Sequence, residues 1–295
     1  MNYRHQFHAG NFADVMKHVL LVQLARALQK KERGLLYLDT HAGRGGYDLA
    51  AADKGDSLAR KPEWPDGIGR LAARIDMPEA IVDYLALAKE FDARELGGSV
   101  VATGNAPRFY PGSPWFAQRL ARPLDRLALV EKQEDEFLAL SAAFRDAART
   151  SVHEMDGYTA LRAMLPPPER RALVLIDPPF EAQDEFAQIA VALREGLKRF
   201  STGVFAVWYP LTERARVDDF FDAVLALRPP PTLFAELAIA GESSAIRMKG
   251  SGLLVINPPW QFDRAAESAL AWLAPVLAQT AGGGARVTWL VRELG

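Results

Sequence analysis

Short, almost unbroken aliphatic runs recur along this chain. "LLYLD" begins at Leu35, "DRLALV" spans 125–130, "RALVLI" spans 171–176, "GVFAVW" spans 203–208, and further apolar runs occupy 232–239, 251–257 and 286–292, with a more polar strand expected at 150–154. A strand with no polar face must be covered on both sides, and parallel sheets between helical layers provide that cover. Helical periodicity fills the intervals at 133–148, 157–164, 181–199, 213–227 and 263–279. A further helix begins after Asn11, a good N-cap, and runs to about Lys30, with Gly34 as its stop signal. The alternation predicts an α/β fold with a mostly parallel sheet. The last two or three strands are not clearly separated by helices, which predicts an antiparallel edge.

One block breaks the alternation. Between Ala50 and Pro107, "MPEAIVDYLALAKEFDARE" has helical spacing, "KPEWPDGIGRLAARI" reads as a loop leading into a helical piece, and no convincing strand is present. The expected organisation is therefore a core of residues 1–49 and 108–295, with 50–107 as a small inserted helical subdomain.

Composition excludes several chemistries. There is no cysteine, hence no disulfide, thiolate nucleophile or cysteine zinc site, in keeping with a reducing cytoplasm. The five histidines lack paired metal-ligand spacing. No apolar run approaches the ~20 residues of a membrane helix, and the N-terminus has no apolar signal-peptide core. The formal net charge is -2, so any attraction for a polyanion must be local. Residues 1–33 are locally basic, and on charge alone a solvated helix face is the simpler reading of that segment.

In an open parallel sheet, ligands bind beyond the carboxyl ends of the strands. Gly43, Gly45 and Gly46 follow the first strand, without the G-x-G-x-x-G register of a dinucleotide fingerprint. Glu131 ends the second strand, where an acid can accept both ribose hydroxyls. It lies about 90 residues past the glycines rather than roughly 20, as an insertion at 50–107 requires. Asp156 and Gly157 follow the third strand, where an acid can accept hydrogen bonds from an adenine amino group. Asp177-Pro178-Pro179-Phe180 follow the fourth.

This tetrapeptide has the parts needed to hold an exocyclic amine. The Asp177 carboxylate and the Pro178 carbonyl are two acceptors, the prolines stiffen the turn, and Phe180 offers a ring for an extruded base. Accepting both N–H bonds restores the nitrogen lone pair, and the carboxylate can take the proton released. Asn257-Pro258-Pro259-Trp260 copies the pattern, but an amide cannot take a proton. It reads as a structural turn, with Trp260 packed or forming a pocket wall.

Together with "YRHQFHAGNFADVMKH", "YLDTHAG", "YPGSP", "LIDPPF", "WYP" and "VINPPW", these residues closely resemble the RlmJ family of 23S ribosomal RNA adenine-N6 methyltransferases. The likeness runs from Tyr3 to the last strand. It implies a Rossmann-like class I methyltransferase core using S-adenosylmethionine. By resemblance, His18, His41, Ser113, Glu131, Asp156, Gly157 and Asp177 contact the cofactor, Asp177 is the catalytic acceptor, and Tyr3, His5 and Lys17 meet the substrate adenosine. On the residues alone, His18 reads only as a half-buried helix histidine. A sulfonium methyl is already activated, so no metal is required, and the family further implies a monomer and protein-free or early-precursor 23S rRNA as partner. Phe180 stands where Tyr is commoner, keeping the ring face and losing a hydroxyl. Rival readings are a DNA adenine-N6 methyltransferase, which shares the tetrapeptide, and a non-catalytic RNA-binding scaffold. An NAD-dependent dehydrogenase is least favoured, since the fingerprint is missing.

Overall fold

The first strand, β1 (Leu36–Asp39), is buried along its whole length between two parallel neighbours. This computed structural model describes residues 5–53, 61–97 and 107–292. A 3-10 turn at His5–Phe7 leads to α1 (Phe12–Gln29), and β1 is followed by β2 (Gly46–Asp48) and α2 (Leu49–Asp53). Two 3-10 turns, Trp64–Asp66 and Ile68–Leu71, precede α3 (Glu79–Glu95) and β3 (Phe109–Pro111). Then come α4 (Ser113–Leu120), β4 (Arg126–Glu131), α5 (Glu134–Ala143), β5 (Thr150–Glu154), α6 (Gly157–Met164), β6 (Ala172–Ile176) and α7 (Glu185–Arg199). The chain closes with β7 (Val204–Leu211), α8 (Arg214–Ala226), β8 (Thr232–Ala238), β9 (Gly250–Ile256), α9 (Phe262–Leu277) and β10 (Gly284–Val291).

The main sheet has the order β10-β8-β9-β7-β6-β1-β4-β5. From β5 to β7 every pairing is parallel. β9 lies antiparallel between β7 and β8, and β10 runs antiparallel along β8, which gives the expected antiparallel edge. All five side chains of β6 are buried. They alternate between two apolar layers, with Val174 and Ile176 facing one and Leu173 and Leu175 the other. Each large aliphatic side chain buried in this way contributes about 1.5–3 kcal/mol before entropy is counted.

α1 is not a solvated face. Its residues from Phe12 to Val22 are all buried, Lys17 and His18 included, because the helix is wedged among α3, α4, α9 and β9. Asn11 caps it as expected, accepting from the amides of Ala13 and Asp14. The helix ends at Gln29, so Gly34 is not its terminator. A Cβ at Gly34 would lie 2.2 Å from the Leu124 carbonyl oxygen, and close backbone approach explains the glycine instead.

The chain between β2 and β3 carries α2, α3 and two 3-10 turns joined by loops, and no strand, among its described residues. Its apolar side chains, including Ile68, Leu71, Tyr84 and Phe91, join the same cluster as α1 and α9. β2 and β3 themselves form a small antiparallel ribbon that the sequence pattern does not announce.

Candidate active site

The carboxyl ends of β1, β4, β5 and β6 converge on one rim of the sheet, where strand order reverses about β1. The turn after β1 is tied to both neighbours. Thr40 donates its N–H and its hydroxyl to the Leu175 carbonyl, and the Ala42 N–H donates to the Val130 carbonyl. Gly43 adopts φ 58° and Gly45 φ 86°, conformations natural to glycine.

Glu131 is held from both sides. Its Oε2 accepts from the Gly43 amide at 2.9 Å, and its Oε1 accepts from the Lys132 and Gln133 amides, each at 2.8 Å. Burial raises its pKa, and the three amides only partly oppose that. Asp156 caps α6 through the Thr159 amide, and Lys132 lies 3.6 Å away. Burial raises its pKa too, but the Thr159 bonds, Lys132 and His41 outweigh it and the net shift is downward. A Cβ on Gly157 would lie 2.1 Å from the Thr40 carbonyl oxygen, so only glycine lets α6 start this close to the β1 turn. His41 fills the resulting corner, edge-on to Tyr158, with Nδ1 2.8 Å from Thr40 Oγ1. Burial lowers its pKa to about 4, keeping the ring neutral at pH 7.

Asp177 stands just beyond β6, its side chain 15% exposed. Lys17 Nζ lies 2.6 Å from its Oδ2 and 2.8 Å from Asp14 Oδ1. Burial alone would lower the Lys17 pKa, but the two aspartates raise it, so the ammonium persists. Pro178 is buried, and Phe180 is partly buried at φ 52° with its ring braced edge-on by Phe186 and Trp208.

The sequence-derived candidates thus meet in part. Lys17 touches Asp177, and His41 lies beside Gly157 and feels the charge of Asp156. Ser113 opens α4 and donates to Asp39 Oδ2 at 2.7 Å. His18 lies one residue past Lys17 and points elsewhere. It is fully buried, not half-buried, against Phe116 and with Nδ1 2.8 Å from the Tyr110 hydroxyl. His5 opens the first turn and its side chain is not described, while Tyr3 lies outside the described residues.

Sequence reasoning gives no role to Asp14, nor to Asp39 beyond its place after the first strand. Asp14 sits one helical turn before Lys17, a spacing that signals an ion pair. Asp39 ends β1 as Glu131 ends β4, and it is fully buried, accepting from the Tyr37 and Ser113 hydroxyls. The second tetrapeptide is a structural turn. Asn257, at φ 55°, donates its side-chain amide to the carbonyls of Ser201 and Gly203. Trp260 neither packs nor walls a pocket: it is 81% exposed, because β9 runs antiparallel and carries the turn to the opposite end of the sheet.

The model of the family described as ribosomal RNA large subunit methyltransferase D, RlmJ, matches residues 32–291. This chain belongs to the RlmJ family. Escherichia coli (strain K12) has a protein named ribosomal RNA large subunit methyltransferase J that is 36% identical over 293 residues, covering 99% of this chain and all of the relative. The protein of the same name from Haemophilus influenzae is 37% identical over the same span. A crystal structure of a Legionella pneumophila protein superposes with a TM-score of 0.83 at 32% identity, covering 95% of this chain and 98% of that one. The RlmJ sheet, with β9 entering antiparallel between β7 and β8, is that of a class I methyltransferase, and the Asp177 turn lies on its carboxyl rim. Among the described residues no cluster of side chains could hold a metal, and no helix is long and apolar enough to cross a membrane.

Proposed function

We propose that this chain transfers a methyl group from S-adenosylmethionine to the exocyclic N6 of an adenine in 23S ribosomal RNA, with Asp177 as the catalytic acceptor. The observation that carries this reading is the Asp177 carboxylate at the mouth of the β6 turn, fixed by Lys17 on one oxygen. Among the described residues no hydrogen bond engages the other oxygen, which leaves it for an incoming amine.

The residues present fit the cofactor. Glu131 is a partly buried carboxylate held in place by three main-chain amides, Gly157 keeps the corner beside His41 clear of any further side chain, and Asp156 is partly open at the start of α6. Glu131, Asp156, Gly157, His41, Ser113, His18 and Asp177 are the residues proposed to hold it, His18 and Ser113 through the packing behind the site. When bound, S-adenosylmethionine supplies an electrophilic methyl on a sulfonium.

The chain's own work is positioning and polarisation. Asp177 and the Pro178 carbonyl accept the two N–H bonds of the adenine amine. This localises the nitrogen lone pair, and Asp177 takes the proton once nitrogen is cationic. Phe180 supports the base, while Lys17, with Tyr3 and His5, lines the approach of the adenosine. Lys17 also orients Asp177 and prevents a bare negative cluster with Asp14. Residues 50–107 act as an insert into a core of 1–49 and 108–295. The chain works as a monomer in the cytoplasm, on protein-free or early-precursor 23S rRNA.

The test is labelled-methyl transfer to unmodified 23S fragments competed against DNA duplexes, with wild type and Asp177→Ala. The expectation is transfer to a single RNA adenine, lowered at least ~100-fold by the substitution, with S-adenosylmethionine affinity by calorimetry falling far less than the rate. Full turnover by Asp177→Ala would overturn the catalytic assignment. Preference for DNA would overturn the substrate.

A further inference from the structure

The sheet is electrically lopsided along its strands. At the rim that holds Asp177, residues 39–46, 131–136, 154–157, 177–185 and 211–214 carry twelve acids against three lysines and arginines. At the opposite rim, where the parallel strands begin, residues 30–33, 122–126, 145–149, 169–171, 198–199 and 228–231 carry twelve lysines and arginines against four acids. A chain of net charge -2 has thus placed twelve of its 35 lysines and arginines at the end remote from the chemistry.

Three features argue that this end is built for contact. First, Arg122 and Arg171 converge on the main-chain carbonyl of Arg33 just past the end of α1, Arg122 being also ion-paired with Asp125 at 3.0 Å, so these guanidiniums are held in fixed positions, and burial plus the two neighbouring guanidiniums lower the Arg171 pKa. Second, Arg149, Arg170 and Arg228 occupy left-handed conformations with φ of 56°, 51° and 52°, each one or a few residues before a strand on this rim. Glycine or asparagine would sit there with less strain, so an exposed arginine is kept against its local preference. Third, Trp260 stands 81% exposed on the same rim. Its turn is fastened by Asn257, whose backbone N–H donates to the Pro231 carbonyl and whose side chain donates to those of Ser201 and Gly203. A rigid turn that holds an indole in solvent beside cationic turns offers a stacking platform for an unpaired base.

We infer that this basic rim, with Trp260, is a second RNA-binding face that grips phosphates and a base of the substrate away from the target adenine. The inference rests on the function proposed above. An acidic catalytic rim repels a polyanion, so affinity must be drawn from elsewhere on the surface. The eight residues of β7 set the two rims about 26 Å apart, close to one turn of an RNA helix lying along the sheet. A short stem-loop would reach only the catalytic rim, and a longer fragment would reach both.

The test uses the full chain and a triple variant, Lys31→Gln/Arg145→Gln/Lys198→Gln, alongside Trp260→Ala. All four side chains are exposed, and none is part of the catalytic or cofactor-binding set. Methyl transfer is measured on a long 23S fragment and on a short stem-loop bearing the same target, with RNA binding followed across salt concentration. For the triple variant the expectation is a KM on the long fragment raised at least tenfold, kcat within twofold, and the short stem-loop unaffected. The slope of log affinity against log salt should fall by roughly two to three, at 0.7–0.9 per phosphate contact. Trp260→Ala should weaken binding of the long fragment by about 5- to 150-fold.

Unchanged KM and salt slope on the long fragment, with normal methyl transfer by wild type, would sink this face alone. Loss of binding to phosphatidylserine vesicles with unchanged RNA kinetics would also overturn it, assigning the rim to a membrane surface. Wild-type chain that binds RNA with the steep salt slope, yet transfers no methyl, would sink the function instead and leave the face standing.

Discussion

Asp39 makes the site's electrostatics measurable through stability. It is completely buried, and burial pushes its pKa up to about 6, against the pull of the Ser113 and Tyr37 hydroxyls and with a further push from Asp177. The unfolded chain has an ordinary carboxylate near 3.8. The folded pKa is the higher one, so the folded state holds the proton more tightly. The destabilisation is absent below the unfolded pKa, grows as pH rises through the window between the two, and is complete above about 6. The full cost is about 3 kcal/mol; it is about 1.6 kcal/mol at pH 5 and about 3 kcal/mol at pH 8. Asn at position 39 cannot ionise yet still accepts from Ser113 and Tyr37. Asp39→Asn should therefore gain about 1.4 kcal/mol on wild type between pH 5 and pH 8. Urea unfolding of both proteins at the two pH values, with m-values compared, reads this directly. His41 has the opposite sign. Its folded pKa of about 4 lies below the unfolded 6.5, so it removes stability as pH falls through that window. It titrates in both proteins and cancels from the difference. A stability difference that stays constant from pH 5 to pH 8 would refute the buried, proton-binding Asp39.

Two further substitutions probe the site's construction. Gly157→Ala places a Cβ against the Thr40 carbonyl and should cost about 1–3 kcal/mol, while lowering S-adenosylmethionine affinity tenfold or more; denaturant unfolding and calorimetry together check this. Lys17→Met leaves Asp14 and Asp177 facing each other across a mostly buried gap and should cost about 3–5 kcal/mol. It should also lower kcat more than cofactor affinity, and a variant as stable and as active as wild type would contradict the ion-pair geometry.

Much of the architecture can be read from strand-length aliphatic runs, because a strand buried on both faces leaves an unambiguous signature. "RALVLI" and "DRLALV" are β6 and β4 with nearly the expected bounds. β2 and β3 escape because three residues carry no period, and their pairing is fixed by tertiary contact between chain segments more than 60 residues apart. The place of β9 between β7 and β8 is likewise set by long-range pairing, not by local pattern. At the site, the Asp177 turn is legible because two prolines after a buried strand are unusual. Lys17 reads as part of a solvated basic segment because composition reports charge, not burial. Only the packing of α1 against four other elements explains why its lysine needs two aspartates. Trp260 reads as a packed ring because its tetrapeptide imitates the other; strand direction, invisible in one sequence, sends it to the far rim.

The Lys17–Asp177 contact joins residues 160 positions apart in the chain. During synthesis at roughly 5–20 residues per second, the lysine therefore waits about 8 to 30 s before its partner is even polymerised. A nascent fragment that stops short of β6 holds Lys17 paired with Asp14 alone and no acceptor for an amine, so a truncated product cannot modify the ribosome components around it.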